Sequence, residues 1–133
     1  MNLTVDADVT ADQMSGLGAA IALWNQGAHS RLSLSVQPAP SGAPTLPVRF
    51  QAAAALSHGF YDGRAGAVFI NTDLLGTARA IVVAHEVGHA FGLVHVSPDQ
   101  RPSIMNPGNL DTAPTIDDLH ALALIWGQCS SAP

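Results

Sequence analysis

The 133-residue chain has no lysine, one cysteine, one tyrosine and no apolar run approaching the roughly 20 residues of a membrane-spanning helix. Each absence excludes something. Five arginines against ten acids leave a formal net charge of −5, with no basic stripe to follow a phosphate backbone, so nucleic acid is not an expected partner. With Cys129 alone, no disulfide forms within these residues, and the fold must rest on packing and any bound metal. Cys129 lies near the C-terminus and reads as an exposed, non-catalytic thiol. No secretory signal or pro-segment is legible ahead of the first strand. What is present suffices for one core: 47% hydrophobic residues, a mean hydropathy of +0.23 and the length of one domain point to a soluble monomer with no membrane span.

Apolar spacing lays out strands and helices in alternation. Leu3 to Asp6 reads as a strand, and Met14, Leu17, Ile21 and Trp24 then recur at helical intervals, with Thr10 or Asp12 available as the start cap and Gly27 as the stop. Gly16 and Gly18 within this helix predict close packing on a sheet. Leu32, Leu34 and Val36 alternate with polar residues as a half-buried strand, Pro38 to Pro47 is expected to be a surface loop, and Val48 to Ala52 resumes the sheet. Leu56 to Tyr61 and Gly66 to Asn71 flank Asp62-Gly63-Arg64-Ala65, whose Asp-Gly step favours a hairpin turn between antiparallel strands. As an edge strand, the first of these offers its backbone to an extended peptide; the plainer alternative is an edge shielded by a loop. Tyr61, beside it, is expected to be a half-buried packing residue.

A second helix from about Thr77 to Phe91 buries Ile81 and Val82, and Gly88 permits close approach from below. Ser97 to Gly108 is loop. Thr115 and Asp118 form a capping-box pattern ahead of a third helix, whose inner face is Leu119, Leu122, Ile125 and Trp126 and which stops at Gly127. His29 and His120 read as surface residues. Asn71 and Asp73 read as a turn cap, since two oxygens fall short of the six or more that calcium prefers.

The chemistry lies in His85-Glu86-Val87-Gly88-His89-Ala90-Phe91-Gly92-Leu93-Val94-His95. Residues four apart on a helix stand one turn above each other, so His85 and His89 can aim at one ion. Gly92 can take the positive φ that ends the helix, after which the chain presents His95 as a third ligand. Glu86 neighbours the first ligand, where a carboxylate can act as general base on water rather than bind the metal. A bare H-E-x-x-H arises by chance in amphipathic helices, but the glycine, the third histidine and Met105 ten residues beyond it leave that explanation a poor one. A zinc ion held by three neutral imidazoles acidifies its bound water toward neutrality, which is the chemistry of hydrolysis.

These residues resemble the metzincin metallopeptidases, and the resemblance runs over nearly the whole chain. It is closest to the matrixin catalytic domain: Leu56-Ser57-His58-Gly59-Phe60-Tyr61 and Gly66 to Asn71 are similar to the matrixin edge strand and its neighbour, and Pro114-Thr115-Ile116-Asp117-Asp118-Leu119 running on to Leu124-Ile125-Trp126-Gly127 is similar to its C-terminal helix. The small snapalysins are similar in size but carry aspartate where His95 stands. The resemblance implies an α/β (α+β) zincin-like fold, with a twisted mixed sheet of four to five strands, an antiparallel edge strand and three helices. It implies an N-terminal subdomain over 1–92 and a small C-terminal one over 93–133. It further implies a secreted zinc endopeptidase with His85, His89 and His95 as ligands to one catalytic zinc, Glu86 as base and Met105 beneath the metal. A peptide substrate would lie as an extended strand between Ser57, His58 and Gly59 on one side and Asn106, Pro107, Gly108, Asn109 and Leu110 on the other.

The chain also departs from the pattern. His58 stands at one position of the matrixin structural zinc, but Val68 replaces another and the preceding ligand loop is missing, so a structural zinc is not expected and neither is calcium. Val96, Asn106 and Pro107 stand where relatives carry serine, tyrosine and a metal-linked tyrosine. An inactive peptide-binding module, or a zinc hydrolase of another acyl bond, are the alternatives to a peptidase.

Overall fold

A computed structural model describes residues 1–26, 31–36, 42, 44–53 and 57–127. Gly27, His29, Leu56 and Cys129 lie outside the described residues. The chain forms a mixed α/β fold. In chain order the elements are β1 (Asn2–Val5), α1 (Ala11–Trp24), β2 (Ser33–Val36), β3 (Thr45–Gln51), β4 (Gly59–Asp62), β5 (Ala67–Asn71), α2 (Gly76–Ala90) and α3 (Ile116–Trp126). The five strands make one sheet in the order β2-β1-β3-β5-β4. All pairings are parallel except the last, which leaves β4 as an antiparallel edge strand. Leu3, Val5, Val48, Val68 and Ile70 from the sheet close a core with Leu17 and Trp24 of α1 and with Ile81, Val83 and Val87 of α2.

Local chemistry accounts for the helix ends. Of the two candidate caps for α1, Thr10 is the one used: its hydroxyl accepts from the Gln13 N–H while the Gln13 side chain accepts from the Thr10 N–H. Asp12 instead pairs with the buried Arg79 of α2 at 2.9 Å. Gly16 packs against α2 rather than against the sheet, since a Cβ there would lie 2.9 Å from Arg79 Cδ, and Gly18 faces open space. At the far end of α1, Trp24 is fully buried, and its indole N–H donates to the Ala84 carbonyl at 2.9 Å, which ties the two helices together just below the histidines.

Three expectations need correcting. Pro47 lies in β3, not in a loop: it closes the pairing with β1 opposite Thr4, and pairing with β5 starts at Val48, so the missing N–H falls where the strand changes partner. The hairpin itself forms as expected, with Asp62 and Gly63 opening its turn. The Asp62 carboxylate accepts from the Arg64 and Ala65 N–H groups, and Gly66, at φ 63°, closes the turn. In β2, Val36 is exposed, as befits the last residue of an edge strand. In α3, Leu119 and Leu122 are buried, but Ile125 and Trp126 are 48% and 67% exposed, because only the first two turns of that helix pack on the core. The capping box of α3, its stop at Gly127 and the Asn71 turn cap, which accepts from the Asp73 N–H, are as expected.

The pairing of β4 with β5 determines which way its polar groups point. Asn71 N–H donates to the His58 carbonyl at 2.8 Å while Gly59 stands opposite Ile70, so His58 and Phe60 bond toward β5 and the backbone groups of Gly59 and Tyr61 face the open edge. Gly59 has no room to be anything else, since a Cβ there would meet the Phe69 carbonyl oxygen at 2.6 Å and Val82 Cγ1 at 3.3 Å. Gly59→Ala is therefore expected to push β4 off the sheet at a cost of about 1–3 kcal/mol, the usual penalty for overpacking. A thermal melt checks this, and an unchanged midpoint would show that the edge yields freely.

Candidate metal centre

The three motif histidines converge. His85 and His89 project from one face of α2. The helix ends in a Schellman arrangement, with Gly92 N–H to the His89 carbonyl at 2.9 Å and Leu93 N–H to the Gly88 carbonyl at 3.0 Å, made possible by φ 99° at Gly92. That reversal brings His95 back over the helix. His95 Nε2 lies 3.3 Å from His85 Nε2 and 3.2 Å from His89 Nε2. Nitrogens on a tetrahedral zinc at about 2.0–2.1 Å stand about 3.3–3.4 Å apart, which matches these two separations, and all three nitrogens lie within 4.8 Å of one another. Among the described residues this is the cluster of donors able to hold a metal.

Hydrogen bonding fixes which nitrogens are available. His85 Nδ1 lies 2.6 Å from the Ile104 carbonyl and His89 Nδ1 lies 2.9 Å from the Leu93 carbonyl. A carbonyl can only accept, so each Nδ1 carries the proton and each Nε2 turns a lone pair toward His95. A metal ion at their centre would satisfy all three rings at once. Burial favours the neutral rings: desolvation lowers the pKa of both His85 and His89, assisted by the neighbouring imidazoles and opposed by the carbonyl bonds.

Glu86 is buried beside the triangle. Desolvation pushes its carboxyl up to about 7, against the opposing effect of a hydrogen bond from the Tyr61 backbone N–H. Tyr61 is thus half-buried, as expected, and also part of the site: its amide on the open edge of β4 meets the carboxylate, and the residue lines the cleft.

That cleft, of about 400 Å³, is lined by Ser57, His58, Gly59, Phe60, Tyr61, Val82, His85, Glu86, His89, His95, Gly108 and Asn109. It gathers all three expected edge-strand residues and two of the five expected from the opposite wall. Pro107 and Leu110 are exposed and do not line it. Asn106 does not line it either. It is buried and braces the turn, donating from Nδ2 to the Val96 and Arg101 carbonyls and accepting from the Ser103 N–H. Met105 is 1% exposed beneath the ligands, and a Cβ on Gly88 would lie 2.5 Å from its sulfur, so the glycine of the motif makes room for it.

Two residues that hold the site were not expected to. Asp118, read as a cap, is 1% exposed and accepts five hydrogen bonds, from Ser103 Oγ, Ile104 N, Arg101 Nη1, Thr115 N and Thr115 Oγ1. The cap pattern pointed to Thr115 alone. Ser103, two residues before Met105, is fully buried and carries no motif signal of its own. No described helix is long and apolar enough to cross a membrane. No protein-family model matches the chain, and no curated protein does.

Proposed function

We propose that the protein is a zinc-dependent endopeptidase of the metzincin type, which cuts peptide bonds in chains held as an extended strand along β4. The observation that carries the reading is the convergence of three imidazole nitrogens within 4.8 Å of one another, with His95 Nε2 3.2–3.3 Å from the other two, opening onto a cleft that holds one buried carboxylate and the outward-facing backbone of Gly59 and Tyr61. His85, His89 and His95 hold the ion. Zinc in such a site acidifies water and polarises the carbonyl to be attacked.

The rest falls to the chain's own residues. Gly59 pairs with the substrate backbone and fixes the scissile carbonyl over the histidines. Glu86, anchored by the Tyr61 N–H, takes one proton from the attacking water as the C–O bond forms, and delivers it to the amide nitrogen as the C–N bond breaks. No covalent attachment to the protein is required. Gly108 and Asn109 form the wall opposite β4 and contact the side chains of the substrate.

Digestion of a peptide library, read by mass spectrometry with and without a chelator, is the test. The expected outcome is one zinc per chain, cleavage abolished by the chelator and restored by added zinc. Cleavage indifferent to chelation would overturn the reading. Stoichiometric zinc with peptide affinity but no cleavage would establish a binding module instead.

A further inference from the structure

One run of hydrogen bonds links the buried carboxylate of α3 to the first metal ligand. Ser103 Oγ lies 2.5 Å from Asp118 Oδ1, and since a carboxylate only accepts, the hydroxyl proton points at Asp118. The same Ser103 oxygen accepts from the Met105 N–H at 2.9 Å. That N–H belongs to the peptide unit whose carbonyl is the Ile104 oxygen, and the Ile104 oxygen accepts from His85 Nδ1 at 2.6 Å. Every donor in the series faces Asp118: imidazole to peptide, peptide to hydroxyl, hydroxyl to carboxylate. Bonds aligned head to tail polarise one another, by about 10–30% per bond in a low-dielectric interior. Asp118, Ser103, Ile104 and Met105 are all at most 1% exposed, so water does not screen the chain.

We infer that Ser103 and Asp118 are positioning residues that tune His85 as a metal ligand, with the negative charge of Asp118 reaching the imidazole through the Ser103 hydroxyl and the Ile104–Met105 peptide. The inference rests on the metal-site reading above. Its consequence is an inequality among the ligands. His85 is backed by a carboxylate three bonds away and becomes the strongest donor of the three. His89 is held by the Leu93 carbonyl, in a segment outside the partners of Asp118, and His95 is exposed. The Ile104 N–H also donates to Asp118, at 2.9 Å, which fixes the turn but lies in a different peptide unit and does not conduct to His85.

Ser103→Ala cuts the series while leaving Asp118 its four other donors. The Nδ1 protons of His85 and His89 are followed by NMR in metal-free protein at pH 8, and zinc affinity is measured by competition with a chelator. The expected result is an upfield shift of the His85 proton with the His89 proton unmoved, and zinc affinity lowered about tenfold, the lower range for a second layer of support behind a metal ligand. Arg101→Ala removes another donor to Asp118 from outside the series and is expected to leave both protons in place. Ser103→Thr, which keeps the hydroxyl, is expected to return the parent values. A His85 proton that stays put in Ser103→Ala, or moves together with that of His89, overturns the inference, and so does unchanged zinc affinity. Parent protein that takes up no zinc would instead overturn the metal-site reading, and the resonances of the metal-free protein still test the series on its own.

Discussion

Glu86→Gln is expected to lower peptide cleavage by about 10²–10⁴-fold, the range for loss of a general base, while one zinc per chain is retained. The argument rests on position. Glu86 is the only glutamate in the chain and follows His85 directly, yet it is not one of the residues whose donor atoms converge on the ion position. Its carboxylate is buried in the cleft and anchored by the Tyr61 amide. Glutamine keeps the volume and an acceptor for that amide but has no basic oxygen. Turnover and metal content should therefore separate: metal analysis and circular dichroism match the parent while hydrolysis of a reporter peptide collapses. Undiminished hydrolysis would remove Glu86 from the mechanism. Loss of zinc together with activity would place it among the ligands.

Sequence and structure agree wherever the interaction is short-range along the chain. The i, i+4 histidines, the positive φ at Gly92, the capping boxes and the antiparallel pair at the edge all depend on residues fewer than about a dozen positions apart, and each is legible as spacing. The misreadings share a different cause. Helical periodicity puts Leu119, Leu122, Ile125 and Trp126 on one stripe, but how far along α3 the core extends is a tertiary fact, and the stripe emerges into solvent halfway. Proline statistics exclude Pro47 from a strand interior, but not from the one position where β3 changes neighbours. The resemblance puts Asn106 on the cleft wall, yet buried amide groups seek partners, and it turns inward to the Val96 and Arg101 carbonyls. Asp118 shows the limit most clearly. Its partner at the helix start, three residues away, was visible, whereas the bonds to Ser103 and Ile104, 15 and 14 residues away, depend on how the turn beneath the site folds back.

Asp118→Ala is expected to destabilise the fold by about 3–5 kcal/mol, because several buried donors lose their acceptor at about 1–3 kcal/mol each. The Ser103 hydroxyl, the Ile104 and Thr115 N–H groups and the Arg101 guanidinium would lose their acceptor in a site that Asp118, at 1% exposure, fills completely. For a chain of this length such a loss lowers the melting temperature by about 10 °C or more. The pH dependence distinguishes charge from shape. Burial alone would raise the Asp118 pKa, but the bonds from Ser103, Thr115, Ile104 and Arg101 together outweigh it and hold the carboxyl below its ordinary value. A depressed folded pKa contributes stability that is fully present above the unfolded value, about 3.9, and is lost as pH falls through the folded one. In chelator-treated protein, the stability gap between parent and Asp118→Asn should therefore hold constant from pH 8 to pH 5 and begin to close only below about pH 4. Measured with His85→Gln in both proteins, the gap is free of the imidazole linked to Asp118, and protonation of the other histidines cancels from the difference. A gap that closes between pH 7 and pH 5 would mean that Asp118 is not held as a carboxylate by these donors, and its support of the turn under His85 would then be steric.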